Sequence, residues 1–393
     1  MQYDVCIISG FGHVGLPLSI AFALKGLKTC AFDISPEKKE LIESRKMPFL
    51  EEHGEEMLVK AIASGNLFLS TEKSVIRNSN SVIITIGTTL DEHGGPKLTV
   101  IEDMINQYSE EFVDGQLIVL RSTVFPGTTN RIIGLFKSMS KKVKVSFCPE
   151  RIVEGQALKE LFELPQIVGA VEKEDYIASE KLFRVLTKEI LMTGTVEAEL
   201  AKLLSNSWRY IKFSAANQFY TLCDEADVDF YKVLDVMQYK YPRAQDLPKA
   251  GFSAGPCLFK DTSQLSAFNN NRFLLGNAAI SVNEGLPYYV VSKLKEKYDL
   301  RNKIVGILGM AFKSNIDDSR DSLSYTLKDL LKYYAKSVLC SDPYVTDNEF
   351  LEAEKLIELS DIVILGTPHT VYKKLSIPKD KVMVDIWNFF PKE

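Results

Sequence analysis

The chain is short of the residues that build metal centres and disulfide frameworks. Its four histidines (13, 53, 93 and 369) stand far apart, and its six cysteines (6, 30, 148, 223, 257 and 340) include no C-x-x-C pair. That pattern argues against a zinc site or a dense disulfide framework, and no metal is expected. Scattered thiols fit a reducing, cytoplasmic setting. No apolar run approaches the ~20 residues of a membrane span. No basic region precedes a long apolar run near Met1, so no signal peptide is read. Positive charge is not in excess: 47 Lys and Arg against 52 Asp and Glu leave a net charge of −5. That balance speaks against nucleic acid or an anionic membrane as partner.

What is present is a globular composition, 46% hydrophobic and 25% charged, over 393 residues. This length exceeds one ordinary core, so two or three domains are expected. The first third holds the clearest motif. Asp4 to Ile8 reads as a short strand, followed at once by Gly10-Phe-Gly12-His13-Val14-Gly15 and a helix from Leu16 to Gly26. A second strand, Thr29 to Asp33, ends in an acid 18 residues after Gly15 (33 − 15). Gly10 permits a tight turn, Gly12 lets backbone approach a pyrophosphate, and Gly15 lets helix and strand pack closely. The helix start favours the phosphate charge and Asp33 can bond a ribose hydroxyl. A carboxylate there repels a 2′-phosphate, so NAD is expected rather than NADP.

Strand-like runs recur at 81–86, 116–120 and 144–147, with helix-compatible segments such as Pro36–Ser44 and Glu55–Ala63 earlier in the chain. The alternation predicts a doubly wound parallel sheet. Ligands bind such sheets at the C-terminal strand ends, which here carry Gly87-Thr88-Thr89, Arg121-Ser122-Thr123 and Pro149-Glu150-Arg151. Thr88, Thr123 and Glu150 are therefore candidates for the cofactor crevice, each with a helix cap or solvated turn as the alternative.

From Glu197 to about Met237 apolar residues recur at helical spacing, among them Leu200, Leu203, Leu204, Trp208, Ile211, Phe219 and Leu222. The pattern predicts one long helix that packs on a partner, with a subunit interface as the natural use. Lys202 and Asn206 are four apart on it and face the same way. Either they need buried partners or Lys202 is a solvated lysine. Arg243, in Tyr241-Pro242-Arg243, is a candidate for an anionic group or an ordinary surface arginine.

The stretch that joins these pieces is Gly251-Phe-Ser-Ala-Gly255-Pro256-Cys257-Leu-Phe-Lys260-Asp261. Gly-Pro ahead of a cysteine gives backbone that turns sharply and can approach a ligand. A cation and a potential base follow within four residues, and a nearby cation activates a thiolate nucleophile. A buried structural cysteine is the alternative. The last third repeats the strand–helix alternation on a smaller scale, with strands at 302–309, 337–340, 361–365 and 381–385. Its Gly306-Ile-Leu-Gly309 lacks the full fingerprint, so no second dinucleotide is expected. Lys313 and Arg320, beside a strand end, suit a nucleotide diphosphate. The fold expected is α/β: two Rossmann-like doubly wound domains, 1–195 and 299–393, joined by a central helical domain, 196–298.

These motifs together resemble the UDP-glucose/GDP-mannose dehydrogenase family. The matching pieces run in family order: Gly10-Phe-Gly-His-Val-Gly-Leu-Pro17, Ser122-Thr123-Val, Pro149-Glu150, Glu199-Leu-Ala-Lys202-Leu-Leu-Ser-Asn206, Gly255-Pro-Cys257-Leu-Phe-Lys260-Asp261 and Gly309-Met-Ala-Phe-Lys313. The resemblance implies a four-electron oxidation at C6 of a UDP-sugar, with two NAD used in turn and a thiohemiacetal and thioester formed on Cys257. It implies that Lys202 and Asn206 stabilise the developing oxyanion, and that Asp261 and Thr123 handle a proton through water. Glu150 would position or deprotonate the hydrolytic water. Gly10, Gly12, His13, Val14, Gly15, Asp33, Thr88 and Thr123 would hold NAD. Glu150, Arg151, Lys202, Arg243, Lys260 and Lys313 would hold substrate, Arg243 reaching in from a neighbouring subunit of a homodimer or higher homo-oligomer.

Three departures bear on substrate. Ala254-Gly255-Pro256 stands where the family usually carries paired glycines. Arg151-Ile152 replaces the common Phe-Leu and is closer to the branch acting on UDP-N-acetylhexosamines. Trp387 stands where many members have an arginine. The expectation is therefore UDP-N-acetylglucosamine or UDP-N-acetylmannosamine, with UDP-glucose as alternative. A two-electron hydroxyacid-type dehydrogenase and a silent NAD-binding protein are the remaining alternatives. Supply of an envelope or capsule polysaccharide follows from the family alone.

Overall fold

A computed structural model describes residues 3–88 and 97–390, so Thr89 and His93 lie outside the described residues. The chain divides into two compact units, Met1–Leu204 and Ser205–Glu393.

The first unit holds eight strands: β1 (Tyr3–Ile8), β2 (Thr29–Phe32), β3 (Leu67–Ser70), β4 (Ser79–Ile84), β5 (Leu117–Leu120), β6 (Lys144–Phe147), β7 (Gln166–Ala170) and β8 (Ile190–Thr193). Its helices are α1 (Gly15–Leu24), α2 (Pro36–Glu43), α3 (Gly54–Ala63), α4 (Val100–Gln107), α5 (Thr128–Ser138), α6 (Ala157–Glu163) and α7 (Lys173–Phe183). The sheet order is β3-β2-β1-β4-β5-β6-β7-β8, and all pairs are parallel except β6 with β7. The order in which successive strands are added reverses between β1 and β4, which is where a doubly wound sheet opens a crevice for a dinucleotide. Alternate residues of β1 serve opposite layers. Cys6 and Ile8 pack with Ile132 and Phe136 of α5, whereas Val5 and Ile7 pack with Leu18 and Phe22 of α1. Burial on both faces is why β1 reads as an unbroken apolar run.

Helix α8 (Thr195–Glu225) is a single 31-residue element that contains the division between the units. The long helix expected to about Met237 is in fact two. Asp227 takes a left-handed φ of 57°, and the carboxylate of Asp229 accepts the Tyr231 amide at 2.9 Å to start α9 (Phe230–Gln238). An aspartate cap with a positive-φ residue before it overrides helical periodicity.

The second unit adds α10 (Leu258–Phe268), α11 (Leu274–Lys297), α12 (Leu323–Tyr334) and α13 (Ala353–Leu359) around β9 (Ile304–Leu308), β10 (Ser337–Ser341), β11 (Ile362–Leu365) and β12 (Val382–Val384). These four strands are parallel in the order β10-β9-β11-β12. Val305 and Ile307 of β9 pack with α11 and α12 on one face, and Leu308 packs with Leu356 and Ile357 of α13 on the other. All four expected strands are present. The fold is α/β with parallel sheets in its N- and C-terminal parts.

Candidate active site

The glycine loop between β1 and α1 separates its glycines by task. A Cβ on Gly10 would lie 2.7 Å from Ala31 Cα, and one on Gly15 would lie 2.3 Å from the Ser9 carbonyl oxygen, so close packing forbids both. A Cβ on Gly12 would meet nothing nearer than 3.6 Å. Internal packing therefore does not require Gly12, and its bare backbone serves an approaching ligand. Val14 precedes α1 without side-chain capping, and no acidic residue sits in the first turn. Leu16 already donates to the Gly12 carbonyl and Pro17 has no amide, so the amides of Val14 and Gly15 are the ones left for a phosphate. Asp33 ends the neighbouring strand with its carboxylate fixed: Oδ2 accepts the Phe11 amide at 3.2 Å and Oδ1 accepts the Ile34 amide at 2.8 Å. This cradle fits a dinucleotide. His13 is built into its rim, with Nδ1 3.0 Å from Glu154 Oε1 and the ring stacked on Phe49 at 4.1 Å between centroids.

The next strand ends bring Thr88 and Thr123 together, the Thr88 hydroxyl donating to the Thr123 carbonyl at 2.7 Å. Glu150 is engaged differently from a solvated base. Its Oε2 accepts Arg121 Nε at 2.7 Å, and its Oε1 accepts the amides of Arg151 and Ile152 at 2.6 and 2.7 Å. Arg121 is buried and also donates from Nη1 to Gln166 Oε1 at 2.9 Å and to the Cys148 carbonyl at 3.2 Å. The Arg151 guanidinium folds back onto the Pro165 carbonyl, and burial pulls its pKa below the usual arginine value.

At the start of α8, Glu199 does the work of a cap for another helix. Its carboxylate accepts the Gly127 amide at 2.6 Å, the Thr129 amide at 2.7 Å and the Thr129 hydroxyl at 2.6 Å, at the N-terminus of α5. Burial pushes the Glu199 carboxyl upward, with these three donors opposing. One turn further, Lys202 is only 9% exposed. Its ammonium has no hydrogen-bond or ion-pair partner among the described residues. A sheltered ammonium with no protein partner is well placed to take a ligand oxygen.

In the second unit the cysteine loop is held by its ends. Gly251 is pinned by Asn217, which accepts its amide at 2.8 Å and donates to its carbonyl at 3.1 Å. Trp387 lies against the same glycine, its ring 2.3 Å from where a Cβ would stand, and its Nε1 donates to the Gly366 carbonyl at 3.0 Å. Trp387 is therefore a packing wall for the loop. Gly255 sits at φ +106° beneath Phe312. Cys257 occupies the position before α10 and is the one exposed cysteine of the six. Partial positive charge at a helix start favours a thiolate.

The first turn of α10 completes the cluster. Asp261 is 1% exposed and its amide donates to the Cys257 carbonyl at 2.9 Å. Its Oδ2 accepts Asn206 Nδ2 at 2.6 Å, and its Oδ1 is 3.0 Å from Lys260 Nζ. Ser207 and Thr262 hydroxyls, 3.1 Å apart, tie α8 to α10 a second time. The structure thus brings Asn206, Lys260 and Asp261 together beside Cys257. It does not bring Arg243 to them: that side chain is exposed on a short turn, stacked on Tyr241 at 4.9 Å, with Nε donating to the Tyr241 hydroxyl at 3.1 Å. Lys313 lies half-buried after β9, and Arg320 makes a two-point contact with Asp318 at 2.8 and 3.0 Å.

The first unit carries a nucleotide cradle and the second an exposed thiol on a helix start. Models of the NAD-binding, central and UDP-binding domains of the UDP-glucose/GDP-mannose dehydrogenase family match residues 3–187, 196–284 and 306–392. The chain belongs to this family. It is an NAD-dependent UDP-sugar dehydrogenase. A UDP-N-acetyl-D-mannosamine dehydrogenase of Methanococcus maripaludis is 30% identical over 97% of this chain and 90% of its own. One of Methanococcus aeolicus is 28% identical over 98% and 91%. The solved UDP-D-ManNAc dehydrogenase of Pyrococcus horikoshii gives a TM-score of 0.92 at 27% identity, covering 99% of this chain and 96% of that one. A UDP-glucose dehydrogenase of Pyrobaculum islandicum gives 0.89 at 25% identity, covering 98% of each.

Sequence reasoning passed over four of these side chains. Arg121 stood in a quoted strand end, but its partners Glu150 and Gln166 are distant in sequence. Glu154 and Phe49, which hold His13, carry no local signal. Glu199 lay inside the family motif, and only the structure gives it the task of capping α5. Among the described residues no helix is long and apolar enough to cross a membrane.

Proposed function

We propose that the chain oxidises the C6 hydroxyl of a UDP-N-acetylhexosamine, UDP-N-acetylmannosamine or UDP-N-acetylglucosamine, to the uronate. The observation that carries this reading is Cys257: an exposed thiol at the start of α10, with Lys260 and Asp261 in the turn that follows and Asn206 of α8 bonded to Asp261. NAD, when bound in the Gly10–Gly15 cradle, accepts hydride, once from the alcohol and once from a thiol adduct. Between these transfers the Cys257 thiolate adds to C6 of the aldehyde. The S–C bond forms and the carbonyl electron pair moves onto oxygen. Collapse of that alkoxide expels hydride and leaves a thioester. Water then adds, the S–C bond breaks, and carboxylate and thiol are released.

The residue roles follow the physical state of each group. Lys202, a largely buried residue whose ammonium has no partner among the described residues, supplies positive charge to the C6 oxyanion, and Asn206 presents an amide oriented by Asp261. Asp261 and Thr123 relay protons through water. Glu150, with four donors on its carboxylate, suits orienting the hydrolytic water better than deprotonating it. His13, Val14, Asp33 and Thr88 hold NAD, and Arg151, Lys260 and Lys313 hold substrate. Arg243, exposed in its own subunit, acts from a neighbouring one. The half-exposed Trp208 and Leu222 along α8 support a homodimer. The division into 1–195, 196–298 and 299–393 is kept as a division of labour, supported by the three family-model matches. A cytoplasmic enzyme supplying a polysaccharide precursor is the cellular role proposed.

The acetamido-sugar choice rests on Arg151-Ile152 and on the mannosamine dehydrogenases among the relatives. The likeness to a UDP-glucose dehydrogenase keeps UDP-glucose as the second reading. The test is NADH yield per UDP-sugar across a small panel, for the wild type and Cys257→Ser. About two NADH per sugar, one preferred substrate and a dead mutant are expected. About one NADH per sugar, or an active mutant, would return the chain to a two-electron dehydrogenase.

A further inference from the structure

His369 belongs to no site described above, yet it is wholly buried and sits under the segment that carries Lys313. Its Nδ1 accepts the Asn315 amide at 2.9 Å, so the ring proton is on Nε2, which donates to Asp342 Oδ2 at 3.0 Å. Asp342 follows β10, and its side chain is also wholly buried. The same Oδ2 accepts the amides of Met310 and Ala311 at 2.6 and 2.9 Å, and Oδ1 accepts those of Tyr344 and Val345 at 2.8 and 2.9 Å. Burial opposes ionisation of Asp342, but the His369 bond and these amides together hold its carboxyl below the ordinary value.

The pair thus grips the segment 310–315 at both ends, Asp342 at Met310 and Ala311 and His369 at Asn315. Lys313 lies between the two grips. A third clamp lies outside: Asn315 Nδ2 donates to the Thr370 hydroxyl at 2.8 Å, and the Thr370 amide donates to Asn315 Oδ1 at 2.9 Å. Asn315 is held at φ 61°, a conformation that a free loop of this sequence would adopt only in part. Ordering a lysine before its ligand arrives reduces the entropy lost on binding.

We propose that His369 and Asp342 are positioning residues for substrate, fixing the backbone of 310–315 so that Lys313 is preset for the UDP-sugar. The proposal rests on the reading of Lys313 as a substrate-holding residue. It requires the two ring nitrogens of His369 to do separable work. Gln in its place keeps a donor for Asp342 and loses the acceptor for Asn315. Asn keeps the acceptor and loses the donor.

The test is steady-state kinetics on the full chain with NAD and the UDP-sugar that the wild type turns over. His369→Gln is expected to raise KM for the UDP-sugar about three- to tenfold, the scale of one lost hydrogen bond, with KM for NAD and kcat within about twofold. His369→Asn is expected to raise it less, and Lys313→Ala to raise it at least about tenfold. An unchanged KM in both His369 variants beside a raised KM in Lys313→Ala would overturn the proposal alone. So would an equal rise in both KM values, the mark of a general structural defect. An unchanged KM in Lys313→Ala would instead overturn the reading of Lys313, and the proposal with it. Should the His369 variants fail to fold, Thr370→Val loosens the same segment from the surface. A rise of about two- to threefold for the UDP-sugar alone is then expected, and none would count against the pair.

Discussion

Replacing Gly255 with alanine tests the geometry of the cysteine loop directly. The residue sits at φ +106°, where a side chain is strained, and an added Cβ would stand 2.4 Å from Phe312 Cδ2 and 2.7 Å from Cε2. The backbone strain is worth about 1–3 kcal/mol. Wedging a methyl against a packed ring is worth about 1–3 kcal/mol more. The sum, about 2–6 kcal/mol, corresponds to a fall of roughly 4–24 °C in the melting of a unit this size. Because Cys257 is two residues away and Phe312 adjoins Lys313, turnover should fall at least about tenfold with it. Calorimetry, urea denaturation and initial rates measure all three. Gly285→Ala is the control. It lies inside α11 with no atom within 4 Å of the added Cβ, and it should gain about 0.5–1 kcal/mol. A Gly255→Ala protein as stable and active as wild type would refute the packing described here.

Three further outcomes are expected. Brief alkylation at neutral pH followed by peptide mapping should label Cys257 well ahead of Cys6, Cys30, Cys148 and Cys340, which are buried; uniform labelling would contradict their burial. Those four thiols are pushed up by burial, to about 12 for Cys30 and Cys148 and about 11 for Cys340. Folded values above the unfolded one mean that their contribution is intact below about pH 8.5 and erodes as pH rises towards 12. The unfolding free energy from urea titration should therefore be lower at pH 10.5 than at pH 8, by up to about 1.4 kcal/mol per thiol per pH unit above 8.5; equal values would refute it. Arg121→Met strands the Glu150 carboxylate and should cost about 3–5 kcal/mol, whereas a loss under 1 kcal/mol would mean that the pair is solvated.

The sequence made the nucleotide cradle legible because its three glycines stand at fixed spacing between a strand and a helix, with the acid that ends the next strand close behind. Gly10 and Gly15 face Ala31 and Ser9. The strands β3, β7 and β8 are not among those expected from the sequence. β8 lies at the sheet edge with Leu191 and Met192 half-exposed, so it lacks the alternation that marks a strand. The break between α8 and α9 hides in Asp227-Val228-Asp229, where two acids act through backbone geometry rather than hydrophobicity. Trp387 could be recognised as a departure, but its neighbour Gly251 comes from a different domain of sequence and only the fold pairs them.

The unequal exposure of the six cysteines has a consequence for how this protein fails. An electrophile or oxidant reaching the folded chain meets the thiol that the proposed reaction needs and leaves the thiols that line the cores untouched. Loss of function under such stress would precede any loss of shape, and where the sulfur has been oxidised only to a sulfenic acid or disulfide, a reductant that restores it would restore the whole enzyme. Activity is in this sense the fuse, and the scaffold behind it survives to be used again.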